Sequence, residues 1–311
     1  MYQYLFGPVP SRRLGMSLGV DLVPFKICTL DCVYCECGLT TKLTLQRKEY
    51  VLLEKVVEEL KHFFENSPKP DYITLTGSGE PTLNSKIGKV IDFCKSKFST
   101  KVAVLTNGTL LSDPQVRTDL LNADLLLPSF DSAIIDSFNK INRPHKDIDL
   151  QKYLQGLVDF RSEFKGQIWL EIFILPDFNN SFDDIMELKK AIEKIKPNKV
   201  QLNTLDRPGA IADLKTASIA ELKHIVEIWQ IPNVEIVSRQ YKRQDIKAFR
   251  KDIEQAIIET IKRRPCTVED MSQILDIDKK ELNKYLSILS NENKVYVELL
   301  NNKFFYKTKQ I

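Results

Sequence analysis

Apolar residues occur in two different patterns along most of the chain. Short apolar runs such as DYITLTG and KVAVLT lie between longer segments in which apolar residues recur every three or four positions. The segment LLEKVVEELKHFFEN has this second spacing, with apolar residues at Leu52, Leu53, Val56, Val57, Leu60, Phe63 and Phe64. The short runs predict strands, and the periodic segments predict amphipathic helices.

Predicted strands and helices alternate over residues 15–238. The strands are MSLGVDLVPF, DYITLTG, KVAVLT, DLLLPSF, QIWLEIFIL, KVQLNTL and NVEIVS, and further helices are KIGKVIDFCKSKF, LQKYLQGLVDFRSEF, FDDIMELKKAIEKI and IAELKHIVEIWQ. Such alternation is typical of a parallel sheet with crossover helices. The predicted fold class is therefore α/β, either an open doubly wound sheet or a partial barrel. In both, functional side chains belong at the C-terminal ends of the strands.

The pattern changes after residue 238. Residues 239–250, RQYKRQDIKAFR, carry five basic residues and one acidic residue and predict a linker. Helical segments follow at about 253–262, 267–275 and 279–290, and then two short strands, KVYVELL and KFFYKTK. Asn301 and Asn302, between the strands, favour a tight turn. We therefore predict three segments: the strand–helix part (1–238), a linker (239–250) and a winged-helix domain (251–311).

Composition and charge exclude some classes of protein. The 311 residues are 43% hydrophobic and 28% charged, which is typical of a globular protein. A net charge of +3 is too small to indicate nucleic-acid or membrane binding by itself. No apolar run approaches the length of a membrane span, and the first residues, MYQYLFGPVPSRRLG, contain no apolar stretch of signal-peptide length. We expect a cytoplasmic protein with no membrane partner, in which thiols stay reduced.

Four of the six cysteines crowd into one stretch, KICTLDCVYCECG. A structural zinc site usually needs a second pair of ligands, but the remaining cysteines, Cys94 and Cys266, are isolated. A dithiol redox motif would use Cys32 and Cys35 and leave Cys28 idle. An iron–sulfur site also uses closely spaced cysteines. Three thiolates on a four-iron cluster would leave one iron open for a ligand.

The spacing C-x3-C-x2-C, with the aromatic Tyr34 before the third cysteine, resembles the signature of radical S-adenosylmethionine (SAM) enzymes. The resemblance implies that Cys28, Cys32 and Cys35 bind a [4Fe-4S] cluster whose open iron is chelated by SAM. It further implies reductive cleavage of SAM to methionine and a 5′-deoxyadenosyl radical, with a reductant such as flavodoxin or ferredoxin as a partner. Cys37 is interpreted as a small apolar residue, with a spare ligand or a reactive thiol as alternatives.

A glycine-rich loop, TLTGSGEPTL, follows the strand DYITLTG. Gly77 and Gly79 would let a ligand approach the backbone, and Glu80 could accept a hydrogen bond from an ammonium group. The alternative is a plain turn. The loop resembles the Gly-Gly-Glu motif of the superfamily, which implies that Gly77, Ser78, Gly79 and Glu80 contact the methionine part of SAM.

Three later strand ends carry further candidates for the SAM site. Asn107 lies in LTNGTLL, and Ser129 and Asp131 lie in LPSFDS, which resembles the Ser-Leu-Asp pattern of the superfamily. Asp131 could bond ribose hydroxyls or cap the following helix. Asn203, in VQLNTLDRPG, ends the sixth strand, where the resemblance implies a contact with adenine.

Charged residues near the same strand ends are candidates for the substrate site. Glu171 lies inside the apolar strand WLEIFIL and needs a partner if it is buried. It could face the barrel interior and bind ribose or substrate, or it could pair with Arg143. Arg12, Arg13 and Arg207 are candidate anion binders at the barrel mouth, with ion pairing as the alternative.

The segments GPVPSRRLGMSLGVD and LNTLDRPG resemble a group of radical enzymes related to the tRNA wyosine-forming enzyme, over about residues 7–208. That group usually has a leucine at the position of Cys37. The winged-helix segment carries 11 basic and 10 acidic residues, a difference of +1, which is a weak nucleic-acid footprint.

With this resemblance, we predict a partial (β/α)6-type radical SAM barrel over residues 1–238 and a C-terminal winged-helix (α+β) domain. We expect a radical SAM enzyme with a macromolecular substrate, an RNA base or a protein side chain, because a small-molecule enzyme has little use for a winged helix. The alternative is a regulatory protein whose cluster senses oxygen or iron and whose winged helix binds DNA. The sequence identifies neither a catalytic residue nor the substrate itself.

Overall fold

A computed structural model of the protein describes residues 2–11, 13–237 and 253–308. Its main sheet contains, in order across the sheet, β1 (Leu5–Ser11), β2 (Gly15–Val20), β5 (Tyr72–Leu75), β6 (Lys101–Thr106), β7 (Leu125–Pro128), β8 (Gln167–Phe173), β9 (Lys199–Asn203) and β10 (Val234–Ile236). A small separate ladder joins β3 (Ile27–Cys28) to β4 (Lys42–Leu43). In the main sheet β1 is antiparallel to β2, and the other neighbours are parallel. The predicted α/β class with a parallel sheet is confirmed.

The main sheet is curled. Arg13, in the turn after β1, lies 2.8 Å from Glu171 on β8 and 3.4 Å from Gln201 on β9. Four strand spacings of about 4.8 Å separate β2 from β8, so a flat sheet would hold them about 19 Å apart. One arginine side chain cannot span that distance. The contact therefore favours the partial barrel over the open sheet.

Helices cover the convex face of the sheet. They are α1 (Leu53–Asn66), α2 (Ile87–Lys97), α3 (Pro114–Leu120), α4 (Ile135–Asn142), α5 (Leu150–Glu163), α6 (Phe182–Ile195) and α7 (Ile219–Trp229). On α1 the buried residues are Val56, Leu60 and Phe63, which lie on one face as the apolar spacing predicts. They share one core with Leu170 and Ile172 of β8.

The concave face changes from apolar to polar along the strands. Leu14, Ala103 and Leu127 are buried together there, and Trp169 of β8 packs against them. Glu171 follows on the same face of β8, two residues closer to the C-terminal end of the strand. The apolar cluster closes one end of the barrel and leaves the polar residues at the end where the loops carry the candidate site.

Three elements of the main sheet and its covering helices were not predicted, and neither was the short ladder of β3 and β4. The sequence of β1, LFGPVPS, contains two prolines, which are unfavourable in a central strand but tolerated at a sheet edge, where β1 lies. The helices α3 and α4 contain seven and eight residues, too few for a clear apolar period. The prolines and the short lengths explain why the pattern missed these elements.

The C-terminal unit consists of α8 (Ile253–Arg263), α9 (Val268–Leu275), α10 (Lys279–Asn291), β11 (Val295–Leu300) and β12 (Lys303–Thr308). It has its own apolar core, which includes Ile257 and Leu286. Asn301 and Asn302 both have positive φ angles, 49° and 57°, in the turn between the two antiparallel strands. The predicted helices, strands and turn are confirmed, whereas the predicted linker, 239–250, lies outside the described residues.

No helix in the described part of the chain combines the length and the apolar character that a membrane span needs.

Candidate functional site

The four clustered cysteines lie in the loop between β2 and α1. Cys28 belongs to β3, and its ladder with β4 holds the two ends of the loop together. The N–H of Cys35 donates to the carbonyl of Cys32 at 3.1 Å, and the N–H of Gly38 donates to the carbonyl of Cys35 at 3.0 Å. Further backbone bonds tie the loop to the last turn of α4. Two successive turns therefore gather the thiols, none of which forms a disulfide.

Each of the three predicted ligand sulfurs accepts a hydrogen bond from a side-chain nitrogen. The pairs are Asn107 Nδ2 with Cys28 at 3.5 Å, Asn142 Nδ2 with Cys32 at 3.4 Å, and Lys26 Nζ with Cys35 at 3.0 Å. Cys37 behaves differently, because its Sγ donates to the carbonyl of Arg263 at 3.0 Å. N–H donors stabilise thiolates and tune iron–sulfur clusters. The donor set therefore fits a cluster on three cysteines.

The thiols differ in acidity. Burial raises the pKa of Cys28 to about 11 and also raises the pKa of Cys32. The pKa of Cys35 is lowered, because the neighbouring Cys37 and the charge of Lys26 together outweigh burial. Cys35 is thus the thiol of this loop that most readily becomes an anion.

The described residues contain no group of three or more His, Cys, Asp or Glu side chains arranged around a single metal ion. A structural zinc site needs four ligands that converge on one ion. In an iron–sulfur cubane each cysteine binds a different iron, so its ligands need not converge on one point.

The glycine-rich loop after β5 packs directly against the cysteine loop. A Cβ at Gly79 would lie 2.0 Å from the carbonyl oxygen of Ile27, and a Cβ at Gly77 would lie 2.0 Å from Asp21 Oδ1. The N–H and hydroxyl of Ser78 donate to Asp21 Oδ2 at 3.2 and 2.9 Å. These glycines are needed for packing between two loops of the chain, a reason that the sequence did not indicate.

Glu80 is buried, and its carboxylate accepts four hydrogen bonds from the protein. Oε1 accepts from the N–H of Thr82 at 3.0 Å and from the hydroxyls of Thr82 and Thr106 at 2.6 Å each. Oε2 accepts from the N–H of Asn107 at 2.7 Å. A carboxylate has about four acceptor positions, so an ammonium group would compete with these donors. Glu80 fixes Asn107 beside Cys28.

Asp131 connects the cysteine loop to β7 and β8. Its Oδ2 accepts from Tyr34 Oη at 2.5 Å and from Asn142 Nδ2 at 2.7 Å, and its Oδ1 accepts from the N–H of Phe173 at 2.9 Å. The ring of Tyr34 stacks on that of Phe173, with centroids 3.9 Å apart. Burial raises the pKa of Asp131 to about 6. The capping residue of α4 is Ile134, so the helix-capping alternative for Asp131 is wrong.

Two residues at the sulfurs, Lys26 and Asn142, were not predicted. Asn142 bridges Cys32 and Asp131, and its buried Oδ1 has no hydrogen-bond partner among the described residues. Lys26 stands two residues before Cys28 in the cysteine-rich stretch, which is the only local signal for its role.

Arg13, Glu171 and Asn203 meet on the concave face of the barrel. Arg13 Nη1 lies 2.8 Å from Glu171 Oε2, and Asn203 Nδ2 donates to Glu171 Oε1 at 2.9 Å. Arg143 instead pairs with Asp31 at 3.6 Å, so the proposed pairing of Arg143 with Glu171 is wrong. Three of the predicted site residues therefore form one polar group inside the barrel.

Ser129 and Arg12 complete the set of predicted residues around the strand ends. The N–H of Ser129 donates to the carbonyl of Thr106 at 3.0 Å, and its carbonyl accepts from the hydroxyl of Tyr153. Ser129 therefore lies where β6 and β7 end, beside Asn107. Arg12 lies outside the described residues.

Arg207 is buried between the barrel and the C-terminal unit. Its Nη1 donates to Asp270 Oδ2 at 2.9 Å and to the carbonyl of Pro265, and its Nε lies 3.6 Å from Glu36. Only 8% of the Arg207 side chain is exposed. This placement agrees with the alternative that Arg207 forms ion pairs. These pairs lie in a buried interface and not on the surface.

Arg263, at the end of α8, contacts the cysteine loop and the hairpin of β1 and β2. Its guanidinium lies 3.6 Å from Asp21 and 4.1 Å from the centroid of the Phe6 ring. Its carbonyl accepts the bond from Cys37. The C-terminal unit is thus seated on the loops that carry the candidate site.

A cavity of about 290 Å³ lies between the barrel and the C-terminal unit. Its walls include Phe6 of β1, Cys37 of the cysteine loop and Gly77 after β5, and Arg263 and Leu275 face them from α8 and α9. A molecule held beside the cysteine loop would therefore contact both parts of the chain.

The sequence matches the family model described as the radical SAM superfamily over residues 22–189. It is 31% identical over 310 residues to a UPF0026 protein of Methanocaldococcus jannaschii, covering 97% of this chain and 94% of that protein. It is 35% identical over 303 residues to a protein of Brachyspira hyodysenteriae named GTPase Obg, covering 97% of this chain. The chain spans 45% of the length of that second relative.

Solved structures with a similar fold include a radical SAM methyltransferase from Sphaerobacter thermophilus, with a TM-score of 0.55 and 16% identity. The alignment covers 72% of this chain and 67% of that one. Streptococcus suis SuiB bound to S-adenosylmethionine gives a TM-score of 0.52 and 14% identity, covering 70% and 49% of the two chains. At these identities the similarity is one of fold.

Proposed function

The chain belongs to the radical SAM superfamily and to the UPF0026 family, and we propose that it modifies a macromolecular substrate. Its cofactors are a [4Fe-4S] cluster and S-adenosylmethionine. A bound, reduced cluster supplies the electron that splits SAM into methionine and a 5′-deoxyadenosyl radical, which takes a hydrogen atom from the substrate. A reductant such as flavodoxin or ferredoxin is the proposed electron source. The relation to the tRNA wyosine-forming enzyme stays a prediction.

We propose that Cys28, Cys32 and Cys35 bind the cluster. The observation that carries the proposal is the side-chain N–H donor at each of these three sulfurs. The neighbouring Cys35 and burial raise the pKa of Cys37, whose thiol donates to the carbonyl of Arg263. A ligand must be a thiolate, so Cys37 is not a ligand in this account.

The proposed SAM site lies beside the cysteine loop, at the C-terminal ends of the strands. It consists of Tyr34, Gly77, Ser78, Gly79, Glu80, Asn107, Ser129, Asp131 and Asn203. Glu80 and Asp131 accept their hydrogen bonds from the protein. We therefore propose that these two carboxylates act mainly by holding the loops in place. Arg13 and Glu171, which lie deeper on the concave face, are the proposed contacts for the ribose or the substrate.

We propose that residues 251–311 form a winged helix that docks the substrate, joined by 239–250 to a barrel of residues 1–238. The order of three helices and a hairpin supports this assignment. On its outer surface Ile288, Leu299 and Phe304 are 44%, 60% and 63% exposed. Exposed apolar groups of this size are typical of interaction surfaces. The docked macromolecule would place its reacting group in the cavity beside Cys37.

The test measures 5′-deoxyadenosine released by the anaerobically reduced full chain with SAM. A cell extract is divided into a fraction that a dialysis membrane retains and a fraction that passes through it. We expect the retained fraction to stimulate release, and treatment with ribonuclease or protease to identify the substrate as RNA or protein. Stimulation by the small-molecule fraction alone would contradict the proposal. Duplex DNA binding with no SAM cleavage would favour the regulatory alternative.

A further inference from the structure

Lys26 is the one charged residue among the largest fully buried side chains of the described chain. Its residue exposure is 2%, and its backbone adopts a left-handed conformation with φ of 55°. The carbonyl of Lys26 accepts from the N–H groups of Thr41 and Lys42 at 3.0 and 3.3 Å. The backbone thus holds this residue where its side chain extends into the cysteine loop.

The ammonium group of Lys26 has a sulfur as its hydrogen-bond partner and, among the described residues, no carboxylate. Nζ donates to Cys35 Sγ at 3.0 Å. Cys28 and Cys37 are the other thiols close enough to act on its charge. A buried ammonium is strongly unfavourable unless it is paired with an anion. A neutral thiol does not supply that anion, so the position requires negative charge at the sulfurs.

We propose that Lys26 is the electrostatic partner of the iron–sulfur cluster and raises its reduction potential through Cys35. This inference rests on the proposed binding of the cluster by Cys28, Cys32 and Cys35. Reduction adds one electron to a group that already carries thiolate charge, and a fixed positive charge stabilises the reduced state more than the oxidised one. Net charge and hydrogen bonds to the sulfurs are among the factors that set the potentials of such clusters. Lys26 thus makes reduction of the cluster by its electron donor more favourable, and transfer of that electron from the reduced cluster to SAM correspondingly less favourable.

Three variants separate the charge of Lys26 from its shape. Lys26→Met keeps most of the length and removes the charge, Lys26→Gln removes the charge and keeps a donor, and Lys26→Arg keeps the charge. The backbone bonds to Thr41 and Lys42 do not involve the side chain, so all three changes leave that anchor in place. Lys42→Met is the matched control, because Lys42 is exposed and belongs to β4, whose partner strand β3 begins directly after Lys26.

The experiment is a redox titration of the reconstituted full chain without SAM, followed by the electron paramagnetic resonance signal of the reduced cluster. For Lys26→Met and Lys26→Gln we expect at least a tenfold lower ratio of reduced to oxidised cluster at a fixed potential, which is about 59 mV for one electron. For Lys26→Arg and Lys42→Met the ratio of reduced to oxidised cluster should stay within about threefold of that of the parent protein, which is about 28 mV by the same conversion. If Lys26→Met carries a full cluster with the same reduction potential as the parent protein, the inference is wrong.

Iron content covers the case in which a variant does not load the cluster. If Lys26→Met and Lys26→Gln fold but remain empty while Lys26→Arg loads, the charge is still required and the inference stands. If Lys26→Arg also remains empty, the role of Lys26 is packing and the inference is wrong. A parent protein that takes up no iron would contradict the proposed function itself, so the two failures are distinguishable.

Discussion

Replacement of Arg207 by methionine tests whether a buried ion pair holds the C-terminal unit on the barrel. Arg207 Nη1 lies 2.9 Å from Asp270 Oδ2 of α9, and the two side chains are 8% and 15% exposed. The guanidinium also lies near Glu36 of the cysteine loop and donates to the carbonyl of Pro265. Arg207→Met removes the guanidinium from all three acceptors, and Asp270, which still accepts from the N–H of Thr267, loses this charged partner.

The expected loss of stability at this interface is about 3–5 kcal/mol, the usual cost of removing one partner from a buried ion pair. The exposed pair of Lys215 with Asp177 is the matched control. Its atoms are 2.7 Å apart, but its side chains are 71% and 65% exposed. Such surface pairs contribute about 0–1 kcal/mol, so Lys215→Met should have little effect.

Hydrogen exchange of the amides of α9 and α6 is the suitable assay, because a two-part chain need not unfold in one step. In Arg207→Met we expect faster exchange in α9 and nearly unchanged exchange in α6. The double variant Arg207→Met/Asp270→Leu should lose less stability at the interface than the two single variants added together, because it removes both charges of this pair. The reasoning is refuted if Arg207→Met exchanges like Lys215→Met.

Three further predictions concern the loops of the candidate site. In the cluster-free protein, burial raises the pKa of Asp131 from 3.8 to about 6, so the folded state keeps a proton that the unfolded chain has lost. The contribution of Asp131 to the free energy of unfolding therefore falls as the pH rises between these two pKa values, by up to about 1.4 kcal/mol per pH unit. Urea unfolding of Asp131→Asn at several pH values should show no such fall. Glu80→Gln should lower the free energy of unfolding in urea by about 1–3 kcal/mol, because its new NH2 group faces the N–H of Asn107. The exposed Glu193→Gln should leave this free energy unchanged, and equal unfolding midpoints for the two variants would contradict the prediction. Gly79→Ala should prevent reconstitution of the cluster, because its Cβ would lie 2.0 Å from the carbonyl of Ile27, and full iron uptake would show that the two loops can separate.

Local patterns predicted the parts of the molecule that depend on neighbours in sequence. The spacing of Cys28, Cys32 and Cys35 lies within eight residues and needs no knowledge of the fold to be recognised. The apolar period of α1 and the Asn301-Asn302 turn are equally local, and the structure confirms both. Such signals are reliable because backbone geometry alone relates the residues involved.

Distant partners were the parts that the sequence could not predict. The donor to Cys32, Asn142, lies 110 residues away, and the partner of Arg207, Asp270, lies 63 residues away. Nothing in a periodic pattern relates such positions before the sheet curls and the C-terminal unit docks. The packing role of Gly79 could not be predicted for the same reason, because the carbonyl that excludes a Cβ belongs to the cysteine loop.

The most direct test of the account is the iron content of anaerobically reconstituted cysteine variants. We expect about four irons per chain in the parent and in Cys37→Ala, as a cluster with three cysteine ligands requires. Cys28→Ala, Cys32→Ala and Cys35→Ala should each lose the cluster and the release of 5′-deoxyadenosine. Loss of iron in Cys37→Ala, or a stoichiometric zinc that survives in air with no iron after reconstitution, would contradict the account.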